Sequence, residues 1–430
     1  MKFLIINRGV PHPEGEDAIQ KVYLLIQELY NRPEHTVDLA LINLPDLYQN
    51  YKSLEIQKRD ELEFKNEFKK INIDKIFLKS QSNFSFSKII RKLIILFSFN
   101  FNQFYKNTEL EKSLLEIVEK RNPDIVISHG DTETISNLIK CSKKKSFKII
   151  QLVGQMSHET QQIILENYLR NCNNFFLKVY FTIRLKLLIF KLKVFFKEIC
   201  NKVALNIFFD TDIADTAKEI GIRNVDYSKQ YVRDFGGENW QSKKKNSQDI
   251  LFLNAALTTT NINAVDNMIK YIIPHLQELK NKNEKIFDKL IVAGVENELT
   301  NKIKNLNISW IVFTGWIDTI SKIYFRSKCM IIPSNCYTGS RTKIFHALSC
   351  GLPIITHESN IRFHSNLINK LNVLKANDFE HMKTLITEFL SGEINENNLS
   401  INARIAFEKG YKKEAILDLL VNKIENIKYN

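Results

Sequence analysis

The sequence predicts an α/β protein of two domains, each a parallel β-sheet covered by helices on both faces. The chain has 430 residues, which is too long for one ordinary hydrophobic core and indicates domains of roughly 200 residues each. Short apolar runs alternate with stretches of helical spacing, and this order is typical of parallel strands joined by helices. The alternation stops at residues 236–248 and then starts again. These observations predict two separate sheets.

The domain boundaries follow from the same break. Residues 1–235 form the predicted N-terminal domain, and residues 249–405 form the predicted C-terminal domain. The segment 236–248 between them has two glycines, a lysine run and few apolar residues, so it is predicted to be a linker. Residues 406–430 are helical in pattern, and we expect this helix to pack back toward the N-terminal domain.

The predicted strands of the first domain are apolar runs that end in polar or small residues. The first strand covers residues 1–7 and is followed by a loop with glycine and proline at 8–16 and then by an amphipathic helix. Later strands are "TVDLALIN", "PDIVISHG" and "FKIIQLVG". Residues 51–115 are first charge-rich and then basic and aromatic, and they give no clear pattern.

The second domain repeats the alternation more regularly. Its predicted strands are "DILFLNA", "KLIVAGV", "SWIVFTG", "KCMIIPS" and "LPIITHE". Helices are predicted between them at about 261–281, 296–304, 318–326 and 342–350. Because ligands of open parallel sheets bind beyond the carboxyl ends of the strands, the residues that follow these strands are the first candidates for a site.

A long basic and apolar stretch covers residues 173–202. On a helix its basic residues fall in two groups with apolar arcs between them, rather than on one face opposite a single stripe. We interpret it as a helix that packs on its own domain with lysines reaching to solvent, in preference to a helix that lies on a membrane. The two interpretations are compatible.

The chain is strongly basic. Lys and Arg number 61 against 48 Asp and Glu, which gives a net charge of +13. The partner of such a chain is a nucleic acid, an anionic membrane surface or a phosphorylated substrate. No nucleic-acid-binding motif accompanies the charge, so we predict that nucleic acid is not a partner.

The remaining composition predicts a cytoplasmic protein. The six cysteines have neither the CxxC spacing nor the histidine partners of a zinc site, and we expect reduced thiols. The first residues lack the pattern of a secretory signal, and no uncharged run is as long as the ~18 to 20 residues of a membrane span. The expected location is the cytoplasm, with peripheral binding at the inner face of the membrane as an extension of this prediction.

The loop before the predicted helix 342–350 has the residues of an anion site. Gly339 allows close backbone approach, and Ser340 and Thr342 supply hydroxyl donors. Arg341 and Lys343 add two charges beside the amide groups of the helix start, which fits a diphosphate. Local spacing fits equally well a capped helix with two solvated basic residues. No acidic pair follows a strand in this half, so we predict a site without metal.

Two longer motifs stand in this half, "IVFTGWIDTISKIYFRSKCMIIPS" and "GSRTKIFHALSCGLPIIT". The second is similar to the signature "G.r.K.lEAla.G.PvV.t", and the first to the block that precedes it, in the nucleotide-sugar domain of the group 1 family of retaining GT-B glycosyltransferases, which this half therefore resembles. Order and spacing agree over residues 249–357, while the first half resembles the family more loosely. The resemblance implies a GT-B fold, in which two Rossmann-like domains face each other across a cleft.

The resemblance also implies roles for particular residues. Arg341 and Lys343 would lie near the diphosphate of the donor, with contacts from Gly339, Ser340 and Thr342. His129 matches the family's histidine at a strand end and is the predicted catalytic residue. The other donor-binding candidates are strand-end glycines and the residue at the position of the signature's Glu, namely Gly294, Gly315 and His346. Gly15 and Glu16 are predicted to form a loop near the acceptor or donor, whereas His158 is better explained by a loop role.

Three positions depart from the family pattern. His346 stands where the family has a Glu that accepts hydrogen bonds from the ribose, and a neutral His offers one acceptor nitrogen instead of two oxygens. Thr338 stands where many members have an acidic residue, and Asn254 replaces a frequent glycine. These departures leave an alternative open, which is a non-catalytic binding protein that retains the fold.

The predicted reaction is transfer of a sugar, with retention of configuration, from a nucleotide diphosphate sugar to a hydroxyl of a glycan or lipid-linked glycan. No cofactor is expected. Basic aromatic stretches at 84–107 and 173–202 lie in the predicted acceptor domain, and they favour an acceptor at an anionic membrane surface.

Overall fold

The chain divides into two units, each built on a parallel β-sheet of its own. A computed structural model describes residues 1–13, 17–43, 54–77, 108–129, 132–154, 175–209, 211–253, 259–315, 317, 319–336, 341–362 and 364–427. The first unit comprises Met1–Gln230 together with Ala415–Asn430, and the second comprises Tyr231–Glu414. Residues 236–248, predicted to be a linker, lie within the second unit.

The first unit contains a seven-stranded parallel sheet in the order β3-β2-β1-β4-β5-β6-β7. Its strands are β1 (Lys2–Asn7), β2 (Thr36–Asn43), β3 (Ile73–Phe77), β4 (Ile125–His129), β5 (Lys148–Val153), β6 (Leu205–Phe208) and β7 (Val225–Tyr227). The central strands are apolar and buried, as expected for a parallel sheet covered on both faces. The order reverses between β1 and β4, which is the point where such sheets bind ligands.

Helices connect these strands and cover the sheet. They are α1 (Asp17–Tyr30), α2 (Leu54–Glu67), α3 (Thr108–Arg121), α4 (Thr132–Ser142), α5 (Phe175–Cys200) and α6 (Thr211–Glu219). Leu192, Phe195 and Ile199 of α5 are buried against the core of this unit. The long basic helix therefore packs on its own domain, as interpreted from the sequence. None of the helices in the described part of the chain is long and apolar enough to cross a bilayer.

The second unit contains a six-stranded parallel sheet in the order β10-β9-β8-β11-β12-β13. Its strands are β8 (Ile250–Leu253), β9 (Leu290–Ala293), β10 (Ile311–Gly315), β11 (Cys329–Ile332), β12 (Ile354–His357) and β13 (Leu374–Ala376). Counted within the unit, this is the 3-2-1-4-5-6 order of a dinucleotide-binding fold. The switch point lies between β8 and β11, which pair in parallel.

The helices of this unit are short. They are α7 (Trp240–Lys243), α8 (Thr259–Asn267), α9 (Ile273–Lys282), α10 (Glu298–Lys304), α11 (Ile320–Phe325), α12 (Thr342–Ser349), α13 (Phe379–Leu390) and α14 (Glu396–Gly410). A π-helical turn, Met268–Ile272, joins α8 to α9 just before Pro274. Because proline lacks an amide hydrogen, the wider turn lets the helix continue past it.

The last helix, α15 (Lys413–Asn426), belongs almost entirely to the first unit. Arg32 donates to Asp418 at 2.6 Å and to Glu425 at 2.9 Å, and Lys423 donates to Asp226 at 2.8 Å. Leu417, Leu420 and other apolar residues on its inner face are buried. Burial of this face, more than the partly exposed ion pairs, stabilises the contact of α15 with the N-terminal unit.

Candidate active site

The candidate site of the second unit lies at the switch point of its sheet. β8 ends at Leu253 and β11 ends at Ile332, and these two strands are neighbours. The loop after β11 runs from Pro333 to the start of α12 at Thr342. The sequence predicted a site in this loop, and the strand order gives the physical reason, because connections leave the sheet in opposite directions on the two sides of the switch point.

Two asparagines of α8 hold the first part of this loop. The Oδ1 of Asn263 accepts hydrogen bonds from the amide of Asn335 at 2.9 Å and from the hydroxyl of Ser334 at 3.2 Å. Asn267 donates from Nδ2 to the carbonyl of Pro333 at 2.9 Å and to Oδ1 of Asn263 at 3.2 Å. Since residues four apart lie on one helical face, the spacing of these asparagines brings both amides to the loop.

A third asparagine holds the loop from the opposite side. Asn360, which is completely buried, donates from Nδ2 to the carbonyl of Ser334 at 2.6 Å and to the hydroxyl of Thr356 at 3.0 Å. Asn263, Asn267 and Asn360 were not among the residues predicted from the sequence. Asn263 and Asn267 could have been predicted from the sequence, because two amide side chains four residues apart lie on one face of the helix that follows β8. No sequence pattern indicates the role of Asn360.

Arg341 immediately precedes α12 and is 5% exposed. Its guanidinium donates from Nη2 to the carbonyl of Cys336 at 2.5 Å, which ties the start of the helix to the loop. Arg341 is the N-cap residue, and its own side chain makes no capping hydrogen bond. The first amide groups of α12 therefore have no acceptor on the side chain of the N-cap residue, which is the arrangement that favours an anion at a helix start.

Lys343 lies in the first turn of α12 and is partly buried. Its ammonium donates to the carbonyl of Leu253 at 3.3 Å and to Oδ1 of Asn261 at 3.4 Å. Burial, and then the nearby charge of Arg341, lower the pKa of Lys343 to about 7. Within the described part of the chain no carboxylate forms an ion pair with it. A buried ammonium without a counter-charge is costly, and binding of an anion would remove that cost.

His346 follows Lys343 by three residues on the same helix and is 6% exposed. Its ring lies 4.7 Å from the ring of Phe235 and 6.5 Å from that of Tyr324, measured between centroids. The structure therefore places Thr342, Lys343 and His346 on one short helix, with Arg341 at its N-cap. The imidazole is surrounded in part by aromatic rings, so a carboxylate in its place would be poorly solvated.

Phe235 itself is fixed by a buried ion pair. Arg404 donates from Nη1 and Nη2 to the two carboxylate oxygens of Asp234, at 2.5 and 2.7 Å, and from Nη1 to the carbonyl of Ser349 at 2.5 Å. Burial alone would raise the pKa of Asp234, but the hydrogen bonds from Arg404 outweigh it and hold the pKa below its usual range. This pair joins the chain before α7 to α14, and the hydrogen bond from Arg404 to Ser349 adds the end of α12.

Gly294 and Gly315 both lie at the carboxyl edge of the second sheet, after β9 and at the end of β10. The amide of Gly294 donates to the carbonyl of Gly315 at 3.1 Å. Both residues have positive φ, 135° and 65°, which a side chain would strain. A Cβ on Gly315 would meet nothing within 4 Å, so its backbone conformation, rather than a close neighbour, explains the glycine.

His129 lies in the first unit, at the carboxyl end of β4 beside the switch point of that sheet. Cε1 of its ring would lie 3.9 Å from a Cβ on Gly154, at the end of the neighbouring strand β5. On the first strand, Asn7 donates to the carbonyl of Gly9 at 3.0 Å and shapes the loop there. The predicted catalytic residue thus has the strand-end position that the sequence assigned to it.

Several predicted residues lie outside the described part of the chain. These are Gly15, Glu16, His158, Asn254, Thr338, Gly339 and Ser340. Their roles stay predictions.

One group of side chains in the described residues has the composition of a metal site, namely Glu34, His35 and Glu425 in the first unit. The Nε2 of His35 lies 2.6 Å from Oε1 of Glu425, and Arg32 donates to the same oxygen at 2.9 Å. An arginine at that distance repels a cation, so we interpret the group as an ion-pair network that holds α15.

Solved structures of several glycosyltransferases and related enzymes have a fold similar to that of this chain. Sucrose-phosphate synthase from Thermosynechococcus elongatus has 10% sequence identity and a TM-score of 0.65, with 99% of this chain and 98% of that chain covered. HepE from Anabaena, solved in complex with UDP-glucose, has 9% identity and a TM-score of 0.62, with 99% and 100% covered. A variant of TarM from S. aureus, solved with fondaparinux, α-GlcNAc-glycerol and UDP, has 12% identity and a TM-score of 0.65, with 100% of both chains covered.

These identities are low, so the likeness shows the fold, and it confirms the predicted class of two Rossmann-like α/β units of the GT-B type. The sequence match is narrower. Residues 247–391 match the family model of glycosyl transferases group 1, and this segment contains α12 and the loop before it. No curated protein sequence matches the chain.

Proposed function

We propose that the chain transfers a sugar from a nucleoside diphosphate sugar to a hydroxyl acceptor, with retention of configuration. The observation that carries the proposal is Lys343, a partly buried ammonium without a carboxylate partner among the described residues. It stands in the first turn of a helix whose N-cap residue makes no side-chain capping hydrogen bond, at the switch point of a parallel sheet. A diphosphate would supply the missing negative charge. The group 1 match over 247–391 and the UDP-sugar complex of HepE support the same ligand.

The chemistry follows from where charge develops. As the bond from the sugar to the diphosphate breaks, negative charge grows on the leaving oxygens, and Arg341, Lys343 and the first amides of α12 would stabilise it. We assign no carboxylate nucleophile, because a retaining enzyme of this type is expected to receive the acceptor hydroxyl on the face that the diphosphate leaves. His129 would orient the sugar or accept a proton, and the reaction would need no metal because two side-chain cations neutralise the diphosphate.

The acceptor in this proposal is a glycan or a lipid-linked glycan, bound by the N-terminal unit at an anionic membrane surface. The basic and apolar character of α5 in that unit supports this part of the proposal. The first experiment identifies the nucleotide base and the transferred sugar.

That experiment is a thermal-shift screen against UDP-, GDP- and ADP-sugars, followed by a transfer assay with the sugar that stabilises the chain. We expect the variant with Arg341→Ala and Lys343→Ala to lose donor binding and turnover, at least about a hundredfold. The matched control is Lys289→Ala with Arg326→Ala, which removes one lysine and one arginine that are exposed and precede β9 and β11 at the opposite edge of the sheet.

Near-normal turnover by the folded Arg341 and Lys343 variant would contradict the donor site. Binding of a nucleotide sugar without transfer or hydrolysis would favour the alternative, a binding protein that retains the fold, for which the substitution of His346 for the family's Glu is the supporting observation.

A further inference from the structure

Among the described side chains of helix α5 in the first unit, one apolar face is buried and a second apolar face is exposed. Leu192, Phe195 and Ile199 are buried in the core of the unit. Elsewhere on the helix a second set of large apolar side chains is exposed, with exposed fractions from 42% for Val179 to 82% for Phe176. We call this set the α5 stripe, and its members are Phe176, Val179, Ile183, Leu187, Phe190 and Val194.

The members of the α5 stripe follow one another at steps of three or four residues, so they lie on one face of the helix. The helix has 26 residues and is therefore about 39 Å long at about 1.5 Å per residue. Fifteen large apolar residues are exposed in the described part of the chain, and six of them form this single stripe. Exposed apolar residues that are scattered need no explanation, whereas a continuous row of them marks a binding surface.

Basic residues border the α5 stripe. Lys186 and Lys193 are exposed and stand immediately before Leu187 and Val194, and Lys197 continues the same row. The whole helix has six basic residues and one acidic residue, Glu198. Glu198 is paired with Lys202 at 2.5 Å, so it does not neutralise this row.

We propose that the α5 stripe binds the surface of an anionic phospholipid membrane, with the helix parallel to the surface. The apolar side chains would enter the boundary between headgroups and acyl chains, and the lysines would contact lipid phosphates. Charge complementarity selects this partner over a second copy of the chain, because two copies joined along the stripe would bring two basic helices together. The inference extends the membrane part of the proposed function, but vesicle binding does not require that the chain transfer sugar.

The test is co-sedimentation of the full chain with vesicles of phosphatidylcholine, alone or mixed with phosphatidylglycerol in equal parts. We expect binding to the mixed vesicles that weakens as salt rises, and little binding to the neutral ones. Leu187→Ser with Phe190→Ser should weaken binding about tenfold or more, because two apolar contacts with the membrane are lost. Lys186→Glu with Lys193→Glu should weaken it by at least about thirtyfold.

Each variant has a matched control in the same unit. Leu62→Ser with Phe77→Ser removes the same residue types at exposed fractions of 60% and 67%. Lys69→Glu with Lys70→Glu makes the same change in net charge at two exposed lysines. Both controls should bind mixed vesicles like the native chain, and all four variants should keep the native circular dichroism spectrum.

Failure of the native chain to bind mixed vesicles, or equal binding by the stripe variant, would overturn the inference. A dimer in light scattering that the stripe variant dissociates, without vesicle binding, would show that a second copy covers the stripe and would overturn it too. Calorimetry of donor binding on the same preparations tests the proposed function independently of membrane binding. Leu187→Ser with Phe190→Ser should leave donor affinity unchanged even where vesicle binding is lost.

Discussion

The ammonium of Lys343 lies 3.3 Å from the carbonyl oxygen of Leu253, although 90 residues separate them in the sequence. This hydrogen bond joins the first turn of α12 to the carboxyl end of β8, the first strand of the second unit. The acceptor is a carbonyl dipole and not a carboxylate, so it orients the ammonium but does not neutralise it. The ammonium of Lys343 is therefore positioned to bind an anionic ligand.

The lowered pKa of Lys343 predicts how stability depends on pH. The pKa falls from a usual value of 10.5 to about 7 in the folded chain because of burial and the charge of Arg341. Between these values the unfolded chain binds the proton and the folded chain releases it, so this residue makes the free energy of unfolding rise with pH. Below about pH 7 the cost of the buried charge is present in full.

Urea unfolding of the native chain and of Lys343→Met, from pH about 6 to about 9, measures this effect. We expect the native chain to gain stability relative to the variant as pH rises. A bound diphosphate should favour the protonated form of Lys343, so binding of UDP at pH about 8.5 should be accompanied by uptake of a proton. The uptake is measured by calorimetry as a binding enthalpy that varies with the ionisation enthalpy of the buffer. The same proton uptake by Lys343→Met would contradict the assignment.

The sequence predicted the positions of the candidate residues in the fold where a local pattern determines them. The strand ends, the glycines at 294 and 315, and the basic pair at 341 and 343 all lie where the alternation of strands and helices put them. Strand β3, "IDKIF", was missed because edge strands are short, and only Ile76 in it is fully buried. The exposure of the α5 stripe was missed for another reason. Helix α5 is apolar on more than one side, and only tertiary packing decides which side is covered.

The asparagine contacts predict that Asn263 stabilises the loop before α12. Its Oδ1 accepts from the amide of Asn335, the hydroxyl of Ser334 and Nδ2 of Asn267. Asn263→Ala leaves these donors without that acceptor and should lower the free energy of unfolding by about 1–3 kcal/mol. Asn263→Asp keeps an acceptor oxygen and should retain most of the native free energy of unfolding. Urea unfolding measures both.

The control for this prediction is Asn281→Ala, which removes an exposed acceptor of Gln277 and should change stability by less than about 0.5 kcal/mol. Equal stability of Asn263→Ala and the native chain would mean that solvent replaces the three hydrogen bonds at no cost.

The position of His346 on α12 predicts a change of nucleotide affinity. A Glu at this position offers two acceptor oxygens to ribose hydroxyls, and one added charge-assisted hydrogen bond corresponds to roughly tenfold tighter binding. We therefore expect His346→Glu to bind UDP or GDP more tightly in calorimetry, with His346→Gln as the neutral control. The contacts with Phe235 and Tyr324 should make the carboxylate costly to fold. Unchanged affinity for both nucleotides would mean that residue 346 does not face the ribose.

Tyr324 and Tyr411 form a matched pair for the cost of a buried hydroxyl. Tyr324 is 1% exposed, and its hydroxyl has no hydrogen-bond partner among the described residues, whereas the hydroxyl of Tyr411 donates to Oδ1 of Asn366 at 2.6 Å. We expect Tyr324→Phe to raise the free energy of unfolding by about 1 kcal/mol and Tyr411→Phe to lower it by about as much. Destabilisation by both substitutions, measured by urea unfolding, would show that the Tyr324 hydroxyl is satisfied.

Gly351 tests whether the segment predicted to be a linker, residues 236–248, packs against the rest of the second unit. Its φ is +61°, and a Cβ there would lie 2.2 Å from Cζ3 of Trp240 in α7. Gly392 has a φ of +85° with nothing within 4 Å of its Cβ position. Gly392→Ala should lower the free energy of unfolding by about 1–2 kcal/mol through backbone strain alone. Gly351→Ala adds a clash with the Trp240 ring and should lower it by at least about 3 kcal/mol.

A double-mutant cycle isolates the clash from the strain. Trp240→Ala removes the ring, so in that background Gly351→Ala should cost only as much as Gly392→Ala does in the native chain. The free energies come from urea unfolding, and the native chain and the Gly351→Ala variant should also differ in tryptophan fluorescence because the substitution displaces the Trp240 ring. If Gly351→Ala costs the same with and without Trp240, the ring does not pack on this turn, and residues 236–248 behave as the linker that their composition predicts.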